Sequence, residues 1–445
     1  MVKIEPFAVE QWMDTYETTP GVLNIAETCA ASVSIADLAA LAVPTVIDGT
    51  TVIPSADPLS ALATTRLTYG AIRGSSTLRK QVAALFDAGK DENVTPLPAD
   101  NVIITQGAIA ANFLLFYTLL GPGDHAVCVY PTYQQLYDVP KSLGAEVSLW
   151  MLKKEDQYVP DVTELEGLVR PNTKLIIINN PNNPMGIPIP RHVLEDIIRF
   201  AQQRGIFILS DEVYLPLAHG GTRAPNPDQD EVGMFGEASH SSLQTSTPPP
   251  TPPPPSILTL GYDKVIATGS MSKAFALAGL RLGWVASRDP AMIKALLAAR
   301  DYTTICVSQL DDGMARYALS DAVRQPLLRR NIELARRNIR HLARFVRKWE
   351  NKGRVRCDWI SPTAGTTAFV QFSTVCDDEV VRPIDDVEFC LEVLGTTQVL
   401  MVPGSRCFGH GERFRGYVRI GYVNETAVLI EALSKLDRYL ENNLA

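Results

Sequence analysis

Residues 265–284 read Val-Ile-Ala-Thr-Gly-Ser-Met-Ser-Lys-Ala-Phe-Ala-Leu-Ala-Gly-Leu-Arg-Leu-Gly-Trp. An apolar run closes on Ser270, and Lys273 follows between small and hydroxyl side chains. An unbroken Val/Ile/Leu run suits a strand covered on both faces better than one with a wet face. A lysine just beyond such a strand is poorly explained as a solvated surface charge. A desolvated lysine has a lowered pKa and can attack an aldehyde. Eight residues on, Arg281 adds a permanent cation whose planar donor fork suits phosphate.

The same grammar extends outward. The runs NVIITQG (101–107), HAVCVYP (125–131), LIIINNP (175–181), IFILSDE (206–212) and KVIATGS (264–270) each end in a polar or glycine-bearing turn. Helix-length segments such as 111–124 and 191–205 lie between some of them, and Arg73–Lys80 leads through a serine cap into QVAALF. Strands separated by helices predict a parallel or mixed α/β sheet. Beyond about residue 310 a long charged helix (324–353), short strands and a final helix predict a smaller α+β domain. The domain division expected is 1–50 as an N-terminal segment packing with the small domain, 51–305 as the large domain and 306–445 as the small one. Residues 222–256 break the rhythm, with seven prolines among positions 248–255. That composition predicts an exposed, flexible insertion of polyproline character.

Asp211 ends one apolar run, the Asn179–Gly186 cluster ends another, and Thr105-Gln106-Gly107-Ala108 stands where a strand meets a helix. Acids and amides at the carboxyl ends of strands face the crevice in which α/β sheets bind ligands. Free N–H groups at a helix start make an anion site.

Composition narrows the rest. The 445 residues are 46% hydrophobic and 20% charged, ordinary globular usage. Forty-one Lys and Arg against 49 Asp and Glu give a net charge of −8, no general case for nucleic acid or an anionic membrane. No run reaches the ~18 apolar residues of a membrane span, and the opening MVKIEPFAVEQW lacks a signal peptide's apolar core. The expectation is a soluble cytoplasmic protein. Seven cysteines and six histidines show no metal-ligand spacing, so the thiols are expected to be mostly buried or idle.

Taken together, these motifs resemble the class I/II aminotransferase family, the fold-type-I enzymes that use pyridoxal 5′-phosphate (PLP). The family's Asn-Pro-x-Asn-Pro-x-Gly reads here Asn180–Gly186, its Asp-x-x-Tyr reads Asp211–Tyr214, and its Ser-x-Ser-Lys reads Ser270–Lys273. Asp211 and Lys273 are 62 positions apart, and removing the 35 residues of 222–256 leaves 27, room for one strand and its loops. The resemblance implies a mostly parallel sheet between helices plus a smaller α+β domain, in a homodimer that acts on a small-molecule substrate, an amino acid. Lys273 would hold PLP and move the Cα proton, and Asp211 would pair with the ring nitrogen. Asn183 and Tyr214 would bond the phenolic oxygen, and Tyr133 would stack on the ring. Ser270, Ser272 and Arg281, with the N–H groups of Gly107 and Ala108, would hold the phosphate. Tyr69 would reach the phosphate of the other subunit. Arg419, in Tyr417–Gly421, would grip the substrate carboxylate beside Asn183. Ala108 and Ile109 stand where many relatives carry a hydroxyl, and Met185 replaces a threonine.

After Cα proton loss, reprotonation on the cofactor gives transamination, whereas loss of a Cβ substituent gives β-elimination. Residues 300–304, 364–369 and 402–409 look like capreomycidine synthase. The opening residues and the proline insertion look like fungal enzymes of gliotoxin-type clusters, some of which cleave a C–S bond. The expectation is therefore a secondary-metabolism PLP lyase acting on a cysteine conjugate, with an aminotransferase as the alternative. Aminocyclopropane-carboxylate-synthase-like or cyclising chemistry, or a non-catalytic PLP-fold protein, are the remaining readings.

Overall fold

The computed structural model describes residues 4–47, 50–52, 58–87, 94–220, 254–376 and 379–443. Of the proline-rich segment expected at 222–256, all but 254–256 lies outside the described residues.

Seven strands form the main sheet: β1 (Val102–Thr105), β2 (His125–Tyr130), β3 (Glu146–Met151), β4 (Thr173–Asn179), β5 (Phe207–Asp211), β6 (Val265–Ser270) and β7 (Gly283–Ser287). Their order across the sheet is β1-β7-β6-β5-β4-β2-β3, and only β7 runs antiparallel to its neighbours. All five apolar runs singled out in the sequence are strands of this sheet. Two strands were not anticipated. β3 is an edge strand that opens on an exposed Glu146 and is only partly buried, so its sequence lacks the continuous apolar signature. β7 begins two residues after Arg281, where the lysine–arginine loop turns the chain back beside β6.

Helices cover the sheet for readable reasons. Arg191–Arg204 follows Pro190 and stops at Gly205, whose φ of +67° is the left-handed conformation that ends helices without a Cβ penalty. Ser75 caps Ser76–Phe86 by accepting from the Leu78 N–H. Helix α2 (Gly107–Leu119; α1 is Ala8–Tyr16) is apolar nearly all round, with one face packed in the core and Ile109, Phe113 and Tyr117 exposed on the other.

The smaller unit is an antiparallel sheet: β8 (Val355–Asp358), β9 (Thr367–Val375), β10 (Val381–Pro383), β11 (Val402–Pro403) and β12 (Tyr417–Gly421). It is flanked by the long helix Asp321–Trp349 and the last helix Thr426–Asn443. The architecture is thus α/β, with a mostly parallel central sheet and a small antiparallel domain, as the sequence leads one to expect. Among the described residues no helix is long and apolar enough to cross a membrane.

The N-terminal residues are woven between the two units. Leu23–Asn24 pairs parallel with Val399–Leu400, and Trp12 Nε1 donates to the Met401 carbonyl at 2.8 Å. Gly421 N donates to Ile25 O at 2.7 Å, and Ala31 N to Val423 O at 2.8 Å. On the other side Ala30 N reaches the carbonyl of Lys273 at 3.3 Å. Gly421 permits this passage, since a Cβ there would lie 1.9 Å from the Glu27 carbonyl oxygen.

Candidate active site

The carboxyl ends of β4, β5 and β6 stand side by side, because parallel register aligns Asn179 with Asp211 and Asp211 with Thr268. A cavity of about 540 Å³ opens over these ends. Asp211 is 4% exposed. Asn112 Nδ2 donates to it at 3.0 Å and Val213 N at 3.3 Å. Asn112 is itself anchored, its Oδ1 accepting from the Thr268 hydroxyl at 2.8 Å. Among the described residues no cation stands within ion-pair distance of Asp211. Burial pushes its pKa up to about 6, partly offset by the Asn112 and Val213 hydrogen bonds. A buried carboxyl with neutral donors and no counter-ion suits a ligand that brings its own N–H⁺.

Beyond β6, the Ser270 hydroxyl lies 2.9 Å from Ser272 Oγ and also accepts from the Ser272 N–H at 2.9 Å. Arg281 Nη1 donates to Ser272 Oγ at 3.4 Å and to the Ala278 carbonyl at 3.0 Å. Arg281 has no carboxylate partner among the described residues. Opposite it, α2 starts at Gly107, whose φ is +78° and where a Cβ would sit 3.1 Å from Arg281 Nη2. A guanidinium, two hydroxyls and a helix start around a space kept free of side chain form an anion cradle. This donor set fits PLP at both ends, ring nitrogen and phosphate.

Lys273 reaches into the cavity from the loop after β6. Its Nζ lies 2.5 Å from Thr28 Oγ1, 3.4 Å from Cys29 Sγ and 3.8 Å from Glu27 Oε1. Burial works against its charge, yet Cys29, Tyr214 and Glu27 hold its pKa above the ordinary lysine value. Desolvation alone would lower the Lys273 pKa and make the amine nucleophilic, as expected from the sequence. In the chain without cofactor, its neighbours instead keep it an ammonium. Burial pushes the Cys29 thiol up to about 11.

From β12, Arg419 lies at 3% exposure, with Nη2 donating to Ala26 O at 2.9 Å and Nη1 to Asn183 Oδ1 at 3.4 Å. Its Nε has no partner among the described residues. Asn183 is fixed by its own N–H, which donates to Asn179 Oδ1 at 2.7 Å. Tyr214 is buried, and the Tyr133 hydroxyl donates to Glu10 at 2.8 Å.

The sequence profile of the aminotransferase class I and II family matches residues 46–436. The chain belongs to the class I and II aminotransferase family. Capreomycidine synthase from Streptomyces vinaceus is 28% identical over 345 residues, 77% of this chain and 74% of that one. Aspartate aminotransferase from Thermotoga maritima is 26% identical over 370 residues, 83% and 82% of the two chains. A solved PLP-dependent aminotransferase from Streptococcus suis 89-1591 is 36% identical, with a TM-score of 0.78 over 99% of this chain and 98% of that one. Members of this family depend on PLP, so the chain is a PLP-dependent aminotransferase-family enzyme.

Ten residues singled out in this family member's sequence line the one cavity: Ala108, Tyr133, Asn183, Asp211, Tyr214, Ser270, Ser272, Lys273, Arg281 and Arg419. Gly107 borders it against Arg281. Tyr69 does not line it and is 80% exposed. Sequence reasoning missed Asn112, Glu27, Thr28 and Cys29. All seven cysteines are free, but Cys29 departs from the expectation of an idle thiol by facing Lys273. No local pattern in IAETCAA announces that role, which is created by contacts with residues some 245 positions away.

Proposed function

We propose that the enzyme cleaves a cysteine S-conjugate by β-elimination, in which conjugate and water become a free thiol, pyruvate and ammonium. The observation that carries this reading is the company of Lys273, whose amine meets the Thr28 hydroxyl and the Cys29 thiol at 2.5 and 3.4 Å. Elimination needs one group to take the Cα proton and another to hand a proton to the departing sulfur. Lys273 Nζ is the first, and Thr28 and Cys29 are protic groups for the second.

Bound PLP supplies the electron sink that acidifies the Cα–H bond. Lys273 is the residue that holds it, and Asp211, oriented by Asn112, keeps the ring nitrogen protonated. Asn183 and Tyr214 orient the phenolic oxygen, and Tyr133 covers the ring. Arg281, Ser270, Ser272 and the N–H groups of Gly107 and Ala108 take the phosphate. Arg419 and Asn183 receive the substrate carboxylate.

The cations lining the cavity support a one-substrate reaction. They are Lys273, Arg281 and Arg419. With the phosphate on Arg281 and the α-carboxylate on Arg419, no further arginine among the described residues lines the cavity to receive the second carboxylate of a dicarboxylic 2-oxo acid. Transamination is the second reading, favoured by the names of the relatives. Incubation with S-conjugated cysteines separates the two. Pyruvate, ammonia and thiol released in equal amounts support elimination, and strict dependence on an added 2-oxo acid without ammonia overturns it.

We further propose a homodimer in which Tyr69 serves the neighbouring site, and a cytoplasmic location. Leu67, Tyr69, Ile72 and Tyr302 are 77%, 80%, 52% and 87% exposed, more apolar surface than a monomer usually shows water. Seven free thiols suit a reducing compartment. The units 1–50, 51–305 and 306–445 are proposed as the working division, supported by the pairing of residues 23–24 with 399–400.

A further inference from the structure

The cavity carries more negative charge than the chemistry at its floor uses. Glu10, Asp14 and Glu17 share one face of α1, or continue it by a residue, and line the wall. Glu27 reaches in from the segment that follows. It is a built feature, since Oε1 accepts from the Thr28 N–H at 2.5 Å and from the Cys29 N–H at 2.8 Å. Burial alone would raise its pKa, but in the cofactor-free chain Lys273 and those two N–H groups bring it down to about 2. Its ion-pair partner among the described residues is Lys273, the amine that bound PLP takes up. The Glu17 pKa is raised by burial and by Glu27, Glu10 and Asp14.

Arg419 is an independent observation in the same cavity. It is a buried guanidinium whose Nε has no partner among the described residues; it hydrogen-bonds an amide oxygen and a carbonyl and lies over the Phe408 ring, and it calls for a carboxylate. The charge inventory therefore asks for a ligand with an anion at one end and a cation at the other. The α-amino group cannot be that cation, because it is the group that reacts.

Resting on the reading of this cavity as the amino-acid site, we propose that it selects amino acids whose side chain ends in a cation, with Glu27 as counter-ion and Glu10, Asp14 and Glu17 as an attracting rim. For a cysteine conjugate, the sulfur substituent carries the positive charge.

Three conjugates of similar length test this on the holoenzyme: S-(2-aminoethyl)-, S-(2-hydroxyethyl)- and S-(2-carboxyethyl)-L-cysteine. Dissociation constants are read from the change in the cofactor's visible band on rapid mixing, before turnover. The aminoethyl compound is expected to bind about ten-fold or more tightly than the hydroxyethyl one, the scale of a charge-assisted hydrogen bond. The carboxyethyl compound is expected to bind weakest. Glu27→Gln should bring the first two constants to within about two-fold of each other. Equal affinities in the wild type, or a preference unchanged in Glu27→Gln, overturn the proposal. If Glu27→Gln does not fold, the double change Asp14→Asn, Glu17→Gln on the exposed rim decides: a reduced preference supports the proposal and an unchanged one overturns it. Tight binding of the cation without release of thiol, pyruvate and ammonia would sink the lyase reading alone. Cleavage without charge preference would sink this inference alone.

Discussion

Replacing Asp211 by Asn should stabilise the cofactor-free protein at neutral pH and weaken the cofactor-loaded one. An ordinary aspartate ionises near 3.8 in the unfolded chain, whereas Asp211 is held at about 6 by burial. Above pH 6 the carboxylate is ionised in both states, and the folded state bears the cost of an unpaired buried charge. Below pH 4 it is protonated in both, and the cost vanishes. The two-unit gap is worth about 3 kcal/mol at its plateau, of which roughly 2 kcal/mol develops between pH 4.5 and pH 8. Asn carries no charge but gives up one of the two acceptor contacts, to Asn112 or Val213, at about 1 kcal/mol. Asp211→Asn should therefore gain about 2 kcal/mol at pH 8 and little or nothing near pH 4.5, where the two effects cancel. Urea unfolding midpoints of cofactor-stripped wild type and variant at both pH values measure this. Adding PLP should reverse the sign at pH 8, because the ring N–H⁺ supplies the missing counter-ion to wild type only. A difference between the proteins that does not change with pH would refute the reasoning.

Lys273→Ala should abolish the visible absorbance of covalently held PLP and the release of product; a retained band after dialysis would move the attachment elsewhere. Arg419→Ala should raise KM for amino acids by about 10- to 100-fold, corresponding to 1.5–3 kcal/mol for a lost charge-assisted contact, with a smaller effect on kcat. Steady-state kinetics check this, and an unchanged KM would assign the carboxylate to another group. Gly107→Ala imposes a Cβ on a backbone at φ +78° and 3.1 Å from Arg281 Nη2. It should cost about 1–2 kcal/mol in a denaturation measurement and weaken PLP retention on dialysis.

The central sheet was legible because strands buried on both faces must be written almost wholly in Val, Ile and Leu, as in Leu175–Ile178 and Val265–Ala267. The sheet's exceptions were the half-exposed Glu146–Met151 and Gly283–Ser287, which is buried throughout yet written Gly-Trp-Val-Ala-Ser. At the cavity, Asp211, Ser270 and Lys273 could be read because strand register alone brings them together, and the chain around each is local and ordered. Glu27, Thr28 and Cys29 could not. Their place beside Lys273 depends on a segment threaded between two sheets, a relation that no periodicity or spacing within residues 20–35 encodes. Asn112 was hidden differently, as one polar residue in an apolar helix whose inward turn toward Asp211 follows only from how α2 seats on β6 and β7.

The threading of the first thirty-odd residues also sets an order of assembly. Leu23–Asn24 leaves the ribosome long before its partners Val399–Leu400 and the edge at Gly421 are made. Glu27, Thr28 and Cys29 therefore wait for those later strands before the segment that carries them is held from both sides beside Lys273. The nascent polypeptide can build its vitamin-binding floor well before it owns a finished reaction chamber, and it is the closing stitch that completes it.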